Sequence, residues 1–217
     1  MTRRHHPSLG LAFVLALAAA SPAMPAEAML ADPASMPATA RRMDFAGRND
    51  FRVEVTESGR CLRSTAHNSA SGLYQGLSIA GVDLTRVSWS WRVDALQASA
   101  DLRQLATEDS GASVFFIFGE PSLFNRDVPT LAYVWSATPV PDGTVFGSAR
   151  FRSLYYVQLH GPDAVGRWQQ EMRNIAADFR RIFGTAPGTL KHIAILNDND
   201  QTGEAATALF CPIRDAR

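Results

Sequence analysis

The sequence predicts a mostly β protein, a β-sandwich with one long amphipathic helix packed on its edge or end. Three observations carry that prediction. Short apolar runs alternate with polar residues at period two, as in half-buried strands. Clusters of Gly, Pro, Asn and Asp, notably 139–143 and 197–203, separate those runs with turn chemistry. One late segment switches to helical spacing.

The chain opens on an address. Arg3 and Arg4 precede an apolar run from Leu9 to Ala20, and Ala26-Glu27-Ala28 supplies a small-x-small cleavage pattern. Residues 1–28 therefore read as a signal peptide, with a mature start at Met29 and a periplasmic or secreted destination. The run is too short, and too soon followed by Pro22 and Pro25, to span a membrane. No later stretch approaches the ~20 apolar residues that a spanning helix needs. Residues 29–43 are rich in Ala, Pro, Ser and Met without period and read as a flexible leader. Residues 44–217 read as a single sandwich domain.

Within that domain Phe51, Val53 and Val55 alternate with Arg52, Glu54 and Thr56. Val87, Trp89, Trp91 and Val93 alternate with Arg86, Ser88, Ser90 and Arg92, the clearest half-buried strand in the chain. Val114 to Phe118 is continuously apolar, as in a central strand covered on both faces. Leu131 to Trp135, Leu154 to Leu159, Ile193 to Leu196 and Ala206 to Ile213 complete the strands. The helix is read from Val165, Trp168, Met172, Ile175, Phe179 and Ile182 on one stripe. Asp163 is its expected N-cap and Gly184 its left-handed end, with Arg180 and Arg181 suiting the dipole in the last turn.

Composition narrows the function. Hydrophobic residues make up 46% and charged residues 19% of the 217, which excludes a disordered or fibrous chain. A formal net charge of zero argues against nucleic acid as the main partner, because phosphate binding needs a basic face. Two cysteines, Cys61 and Cys211, remain after export, as a disulfide or as two buried thiols.

No nucleophile elbow, zinc-protease motif, C-x-x-C pair or phosphate-binding glycine loop is present, and His67, His160 and His192 are not at metal-ligand spacing. The densest set of oxygen side chains is Asn197 to Glu204. Asp198, Asp200 and Thr202 alternate and Gly203 is sixth, as in the opening of an EF-hand loop, but Leu209 replaces the bidentate twelfth residue. The turn is thus either a weak calcium site or an Asx-rich hairpin held by its own backbone; no other cofactor is expected. On the expected helix, Glu171, Asn174 and Asp178 flank the buried stripe, with Arg173 pointing elsewhere. They either meet a ligand at the helix–sheet boundary or make local pairs such as Asp178 with Arg181. Tyr156, Gln158 and His160 share a strand face beside the polar row Arg86, Ser88, Ser90 and Arg92. That face suits a sugar or plain solvent.

Several segments together resemble a known family: VSWSWRVD (87–94), 101–118 with its Glu108-Asp109 turn, LAYVWS (131–136), WQQEMRNIAAD (168–178) and HIAILNDNDQTGE (192–204). They are similar to the secreted bacterial domain-of-unknown-function family 3047 over nearly all of the chain after about Asp44. The resemblance implies a jelly-roll sandwich of the galactose-binding type, whose first and last strands approach each other. It therefore implies a Cys61–Cys211 bond. It brings no established activity. Where the family has an acidic turn followed by an arginine, this chain has Glu108, Asp109, Ser110 and then Ser113. Asp198, Asp200 and Thr202 match the family's acidic final turn.

The function expected from these readings is a non-catalytic exported binding domain for carbohydrate or another cell-envelope ligand. The alternatives are a hydrolase or lyase using carboxylates such as Asp109, Glu171, Asp178 and Asp198, and an interaction protein without small ligand.

Overall fold

The computed structural model describes Met1, residues 27–120 and residues 127–217. Most of the expected signal peptide lies outside the described residues. In chain order the strands are β1 (Ala28–Ala31), β2 (Arg41–Ala46), β3 (Asp50–Thr56), β4 (Gly59–Ala66), β5 (Ala70–Ala80), β6 (Val87–Ala95) and β7 (Ala112–Ile117). They continue as β8 (Thr130–Trp135), β9 (Val145–Gly147), β10 (Leu154–His160), β11 (Gln169–Arg173), β12 (Thr189–Asp198), β13 (Ala206–Phe210) and β14 (Ile213–Asp215). A helical turn α1 (Met36–Thr39) follows β1, and helix α2 (Ile175–Phe183) follows β11.

The strands form two seven-stranded sheets packed as a jelly-roll sandwich. Sheet I runs β1-β14-β6-β13-β4-β3, with β11 also paired to β6; sheet II runs β2-β5-β12-β7-β8-β10-β9. Period-two alternation decides which side chains meet between the sheets. Val87, Trp89, Trp91 and Val93 of β6 point inward and are all but fully buried. Trp89 packs on Tyr133 of β8 with ring centroids 5.4 Å apart, and Trp91 packs on Trp135 at 5.8 Å. The strand recognised most easily in the sequence is therefore the one that joins the two layers. β7 splits its apolar run: Val114 and Phe116 enter the core, whereas Phe115 and Ile117 are half-buried on the outer face.

Two expectations require correction. The helix is shorter than its stripe suggests. Residues 169–173 form β11, paired antiparallel with β6 from Gln169 opposite Trp91 to Arg173 opposite Val87. The segment carries both periods, and the free edge of β6 decides between them, because pairing satisfies backbone groups that an unpaired edge leaves open. Met172, expected on the buried stripe, is 52% exposed. Asn174, rather than Asp163, caps the helix: its side-chain oxygen accepts the Ala177 N–H at 2.8 Å. Gly184 closes α2 in the left-handed region as expected, at φ 73°.

Residues 29–43 are not a loose leader. β1 pairs with β14 in sheet I and β2 pairs with β5 in sheet II, so the arm crosses from one layer to the other. Leu30, Ala31 and Met36 enter the core, Met36 with no exposed surface. The segment lacks a period because a turn and α1 divide it into short pieces, each serving a different sheet.

Cys61 and Cys211 are bonded, with Cα atoms 4.3 Å apart and 150 positions between them in sequence. They link β4 to the residue after its neighbour β13. Closing so long a loop restricts the unfolded chain, so replacing both cysteines by alanine is expected to lower the unfolding free energy by about 2–4 kcal/mol. Urea unfolding of the two proteins measures this, and coincident midpoints would show that the bond adds nothing.

Candidate functional site

The outer face of sheet II carries the site. Along β12 burial alternates, with Ile193, Ile195 and Asn197 inward and Ala194, Leu196 and Asp198 outward. Ser113 and Phe115 of β7 and Leu154 and Tyr156 of β10 face the same way, and loops add Glu108, Ser110, Arg150, Phe151, Asp200 and Gln201. Together with Phe45 of β2 they enclose a cleft of about 330 Å³. Phe45 and Phe151 are exposed at its margins.

The sequence Asn197-Asp198-Asn199-Asp200 builds the polar end of this cleft by the same alternation. The two asparagines turn inward. The Asn197 side-chain oxygen accepts from Asn49 Nδ2 at 2.8 Å and from the Ser64 hydroxyl. Asn199 accepts the Ser69 N–H at 2.9 Å and donates to the Glu204 carbonyl at 2.7 Å. These amides fasten the end of β12 to the segments around β4 and β5, which leaves Asp198 and Asp200 facing the cleft.

Asp198 Oδ1 accepts the Ser110 N–H at 2.8 Å and the Ser110 hydroxyl at 2.9 Å. Asp109, fully buried, accepts the Gln201 and Thr202 N–H groups at 3.3 and 2.7 Å. Asp109, Asp198 and Asp200 each bring an oxygen within 4.8 Å of the others. Burial pushes the Asp198 carboxyl well above the usual carboxylate range, and the nearby Asp109 and Asp200 charges add to it against the Ser110 hydrogen bonds. Burial, followed by the Asp109 charge, also raises Asp200. Asp200 Oδ2 accepts from Gln201 Nε2 at 2.6 Å, while Oδ1 is buried without a partner among the described residues. Such a trio can retain a proton and donate it in a hydrogen bond, or offer hard oxygens to a divalent cation. In the same turn the Thr202 hydroxyl accepts the Glu204 N–H at 3.3 Å. Beside the trio, Glu108 accepts from Arg150 Nε at 3.0 Å, and Tyr156, its hydroxyl held protonated chiefly by burial, lies against it.

The other expected site residues go elsewhere. The pairing of β10 with β8 slips between Gln158 and His160, which turns His160 into the sandwich. There His160 Nε2 lies 2.6 Å from Glu171 Oε1, which also accepts from Trp91 Nε1 at 3.0 Å. Asp178 accepts from the Tyr133 hydroxyl at 2.8 Å, Arg173 at 2.7 Å and Arg181 at 3.0 Å. Burial works to raise the Asp178 carboxyl, but these bonds prevail and hold it below its usual range. The Asp178 carboxylate is thus engaged by three donors, and it pairs with Arg181 as the local reading expected, while Arg173 Nε is buried without a partner among the described residues. Arg92 pairs with Asp94 at 2.6 Å beneath the Trp168 ring, Ser88 points to the outer face of sheet I, and Arg86 is exposed before β6. Because Trp89 and Trp91 point into the sandwich, the row Arg86, Ser88 and Arg92 lies on the far layer from Tyr156 rather than beside it.

Of the expected residues, Tyr156, Asp198 and Asp200 line the cleft, and Asp109 is buried next to the two aspartates. The sequence reading missed Phe45, Glu108, Ser110, Phe115, Arg150 and Phe151 as site residues. Alternation within 114–118 marks Phe115 as the outward residue, but Arg150 carries no local signal. Ser113 lies on the cleft floor and donates to Ser110 at 2.9 Å; the arginine facing this cleft is Arg150.

A family profile described as "Protein of unknown function (DUF3047)" matches residues 41–214. No curated protein matches the sequence. Similar solved structures include a family 11 carbohydrate-binding module of a Clostridium thermocellum cellulosomal cellulase, at 14% identity over 87% of this chain and 93% of that one, with a TM-score of 0.44. The K3 adhesin domain of Lys-gingipain from Porphyromonas gingivalis matches at 13% identity, 87% and 98% coverage and TM-score 0.43. A family 12 endoglucanase from Trichoderma harzianum matches at 12% identity, 81% and 96% coverage and TM-score 0.39. No helix among the described residues is long and apolar enough to cross a membrane.

The raised Asp198 carboxyl makes stability depend on pH. Its folded-state pKa lies above the unfolded value, so its contribution is complete below the unfolded pKa and is lost as pH rises through the folded one. In calcium-free buffer Asp198→Asn is expected to melt higher than the wild type at mildly alkaline pH and to show a flatter profile. Thermal melts across pH measure this. A variant that melts lower with an unchanged profile would mean that Asp198 is ionised in the native protein.

Proposed function

The chain belongs to the DUF3047 family of proteins of unknown function, and from that premise we propose that it is an exported, non-catalytic binding domain for a carbohydrate or similar hydroxyl-rich cell-envelope ligand. The observation that carries this reading is the cleft itself. Its walls offer the apolar faces of Phe45, Phe115 and Phe151, and its end offers Glu108, Ser110, Asp198 and Asp200. Apolar walls with a few convergent polar groups suit a small polar ligand, and carboxylates accept from hydroxyl groups. The family's own activity is not established, so the reading rests on this geometry.

A second reading is carboxylate-dependent cleavage of the same ligand, by a hydrolase or a lyase. It is favoured by a proton-retaining Asp198 beside Asp109 and Asp200, the kind of paired environment that separates an acid from a base. A glycan array run beside a polysaccharide-degradation screen separates the two. Binding without turnover, weakened about tenfold or more by Phe151→Ala, is the expected result. Turnover abolished by Asp198→Asn would favour the enzyme, and neither binding nor turnover would leave an interaction protein without small ligand.

Asp198, Asp200 and Thr202, with Asp109 beside them, are also proposed as a weak calcium site. Extracellular sites of this kind hold calcium with dissociation constants of about 10⁻⁴–10⁻³ M. Millimolar calcium is therefore expected to raise the melting temperature of the wild type and not that of Asp198→Asn/Asp200→Asn. A wild-type melt indifferent to calcium would leave the turn as an Asx hairpin with buried carboxyls.

A further inference from the structure

The cleft does not end at its aromatic walls. Beyond it the outer face of sheet II holds a shallow apolar floor of about 100 Å³ and then a second depression of about 570 Å³. The first cleft and the floor share Phe45, Phe115 and Leu196; the floor and the second depression share Met43, Tyr74 and Ile117. The three are one trough. β12 underlies all of it with His192, Ala194, Leu196 and Asp198, a span of about 20 Å at ~3.3 Å per residue.

Resting on the reading of the acidic cleft as a glycan site, we propose that the ligand is a linear polysaccharide without anionic groups, laid along this trough and gripped at a second subsite around His192. Two features of the floor support it. The floor is low, since it is made of Ala194 and Gly72, and a Cβ on Gly72 would stand 2.9 Å from the Ile195 carbonyl. Exposed Met43 and Phe45 line it along β2, leaving an open apolar strip on which sugar-ring faces can lie.

The far end has its own unspent polar group. The His192 ring packs edge-on against Tyr74 with centroids 5.6 Å apart, and its Nε2 lies 3.0 Å from Glu120 Oε2. Its Nδ1 is buried and has no partner among the described residues. Gly76 leaves room there, since a Cβ at that position would lie 3.8 Å from Nδ1. A ligand hydroxyl reaching this nitrogen supplies the missing partner.

Charge sets the class. Glu108 is tied to Arg150 at one end, and Glu120 and Arg41 both line the other. The trough therefore offers a uronate or sulfate chain no surplus of positive charge and suits a neutral chain. One sugar cannot reach both ends, but a chain can, and joining two weak subsites raises affinity without any new contact.

The test is titration calorimetry with β-glucan, xylan, mannan, chitosan and polygalacturonate, followed by the oligosaccharide ladder of the tightest binder from disaccharide to hexasaccharide. Affinity is expected to rise about tenfold or more along the ladder. Tyr74→Ala and Gly76→Val, the latter filling the far depression, are expected to remove that gain while leaving disaccharide affinity unchanged. Phe151→Ala is expected to weaken every length alike. Circular dichroism confirms that each variant is folded, and Gly76→Val keeps the test open if Tyr74→Ala is not. Equal affinity at all lengths, a gain that survives both far-end variants, or tightest binding to polygalacturonate would each overturn the extended trough while preserving the glycan reading. No binding to any of the five polymers would overturn both.

Discussion

The site depends on a set of buried side-chain amides. Asn49, Asn197 and Asn199 bind backbone and hydroxyl groups around β4, β5 and the turn after β12. Buried polar groups of this kind are costly unless fully paired, and these are paired on several sides. The result is a rigid end to a strand whose alternate residues are acidic. Asp198 and Asp200 have no choice of direction, because the asparagines between them are committed to the interior. Asp109 completes the arrangement from the opposite loop by holding the turn's own N–H groups.

The molecule keeps two kinds of carboxylate apart. Asp178 is buried but receives three donors, and its charge is stabilised. Asp198 is enclosed among other carboxyls and, among the described residues, its carboxyl receives donors only from Ser110, so its neutral form is favoured. The first pattern is what a core needs to close around a helix. The second does nothing for the core and resembles the environments in which proteins place groups for use. That contrast, rather than the number of acidic residues, separates the cleft from the cluster under α2.

Much of the fold was legible because a sandwich rests on alternation. Phe51 to Thr56 and Val87 to Val93 are strands as read, and the bond between Cys61 and Cys211 follows from neighbouring strands. The helix was read too long because residues 169–173 fit two periods, and only the free edge of β6 selects one. The order of the arm at 29–43 is not legible, because pieces shorter than a period carry none. At the site, the acidic turn announced itself through its density of oxygen atoms, whereas Glu108 and Arg150 converge from loops 42 positions apart. His160 was misplaced by a single slip in register, which period-two reasoning cannot see in advance.

The pairing of β1 with β14 has a consequence for how the domain can be mounted. Ala28 lies opposite Asp215, so both ends of the folded unit emerge side by side at one edge of sheet I. The trough opens on the other layer. A tether, fusion partner or solid support attached at either end therefore meets the molecule at the edge of the layer that does not carry the trough. The adjacent ends also suit head-to-tail arrays and circular permutation.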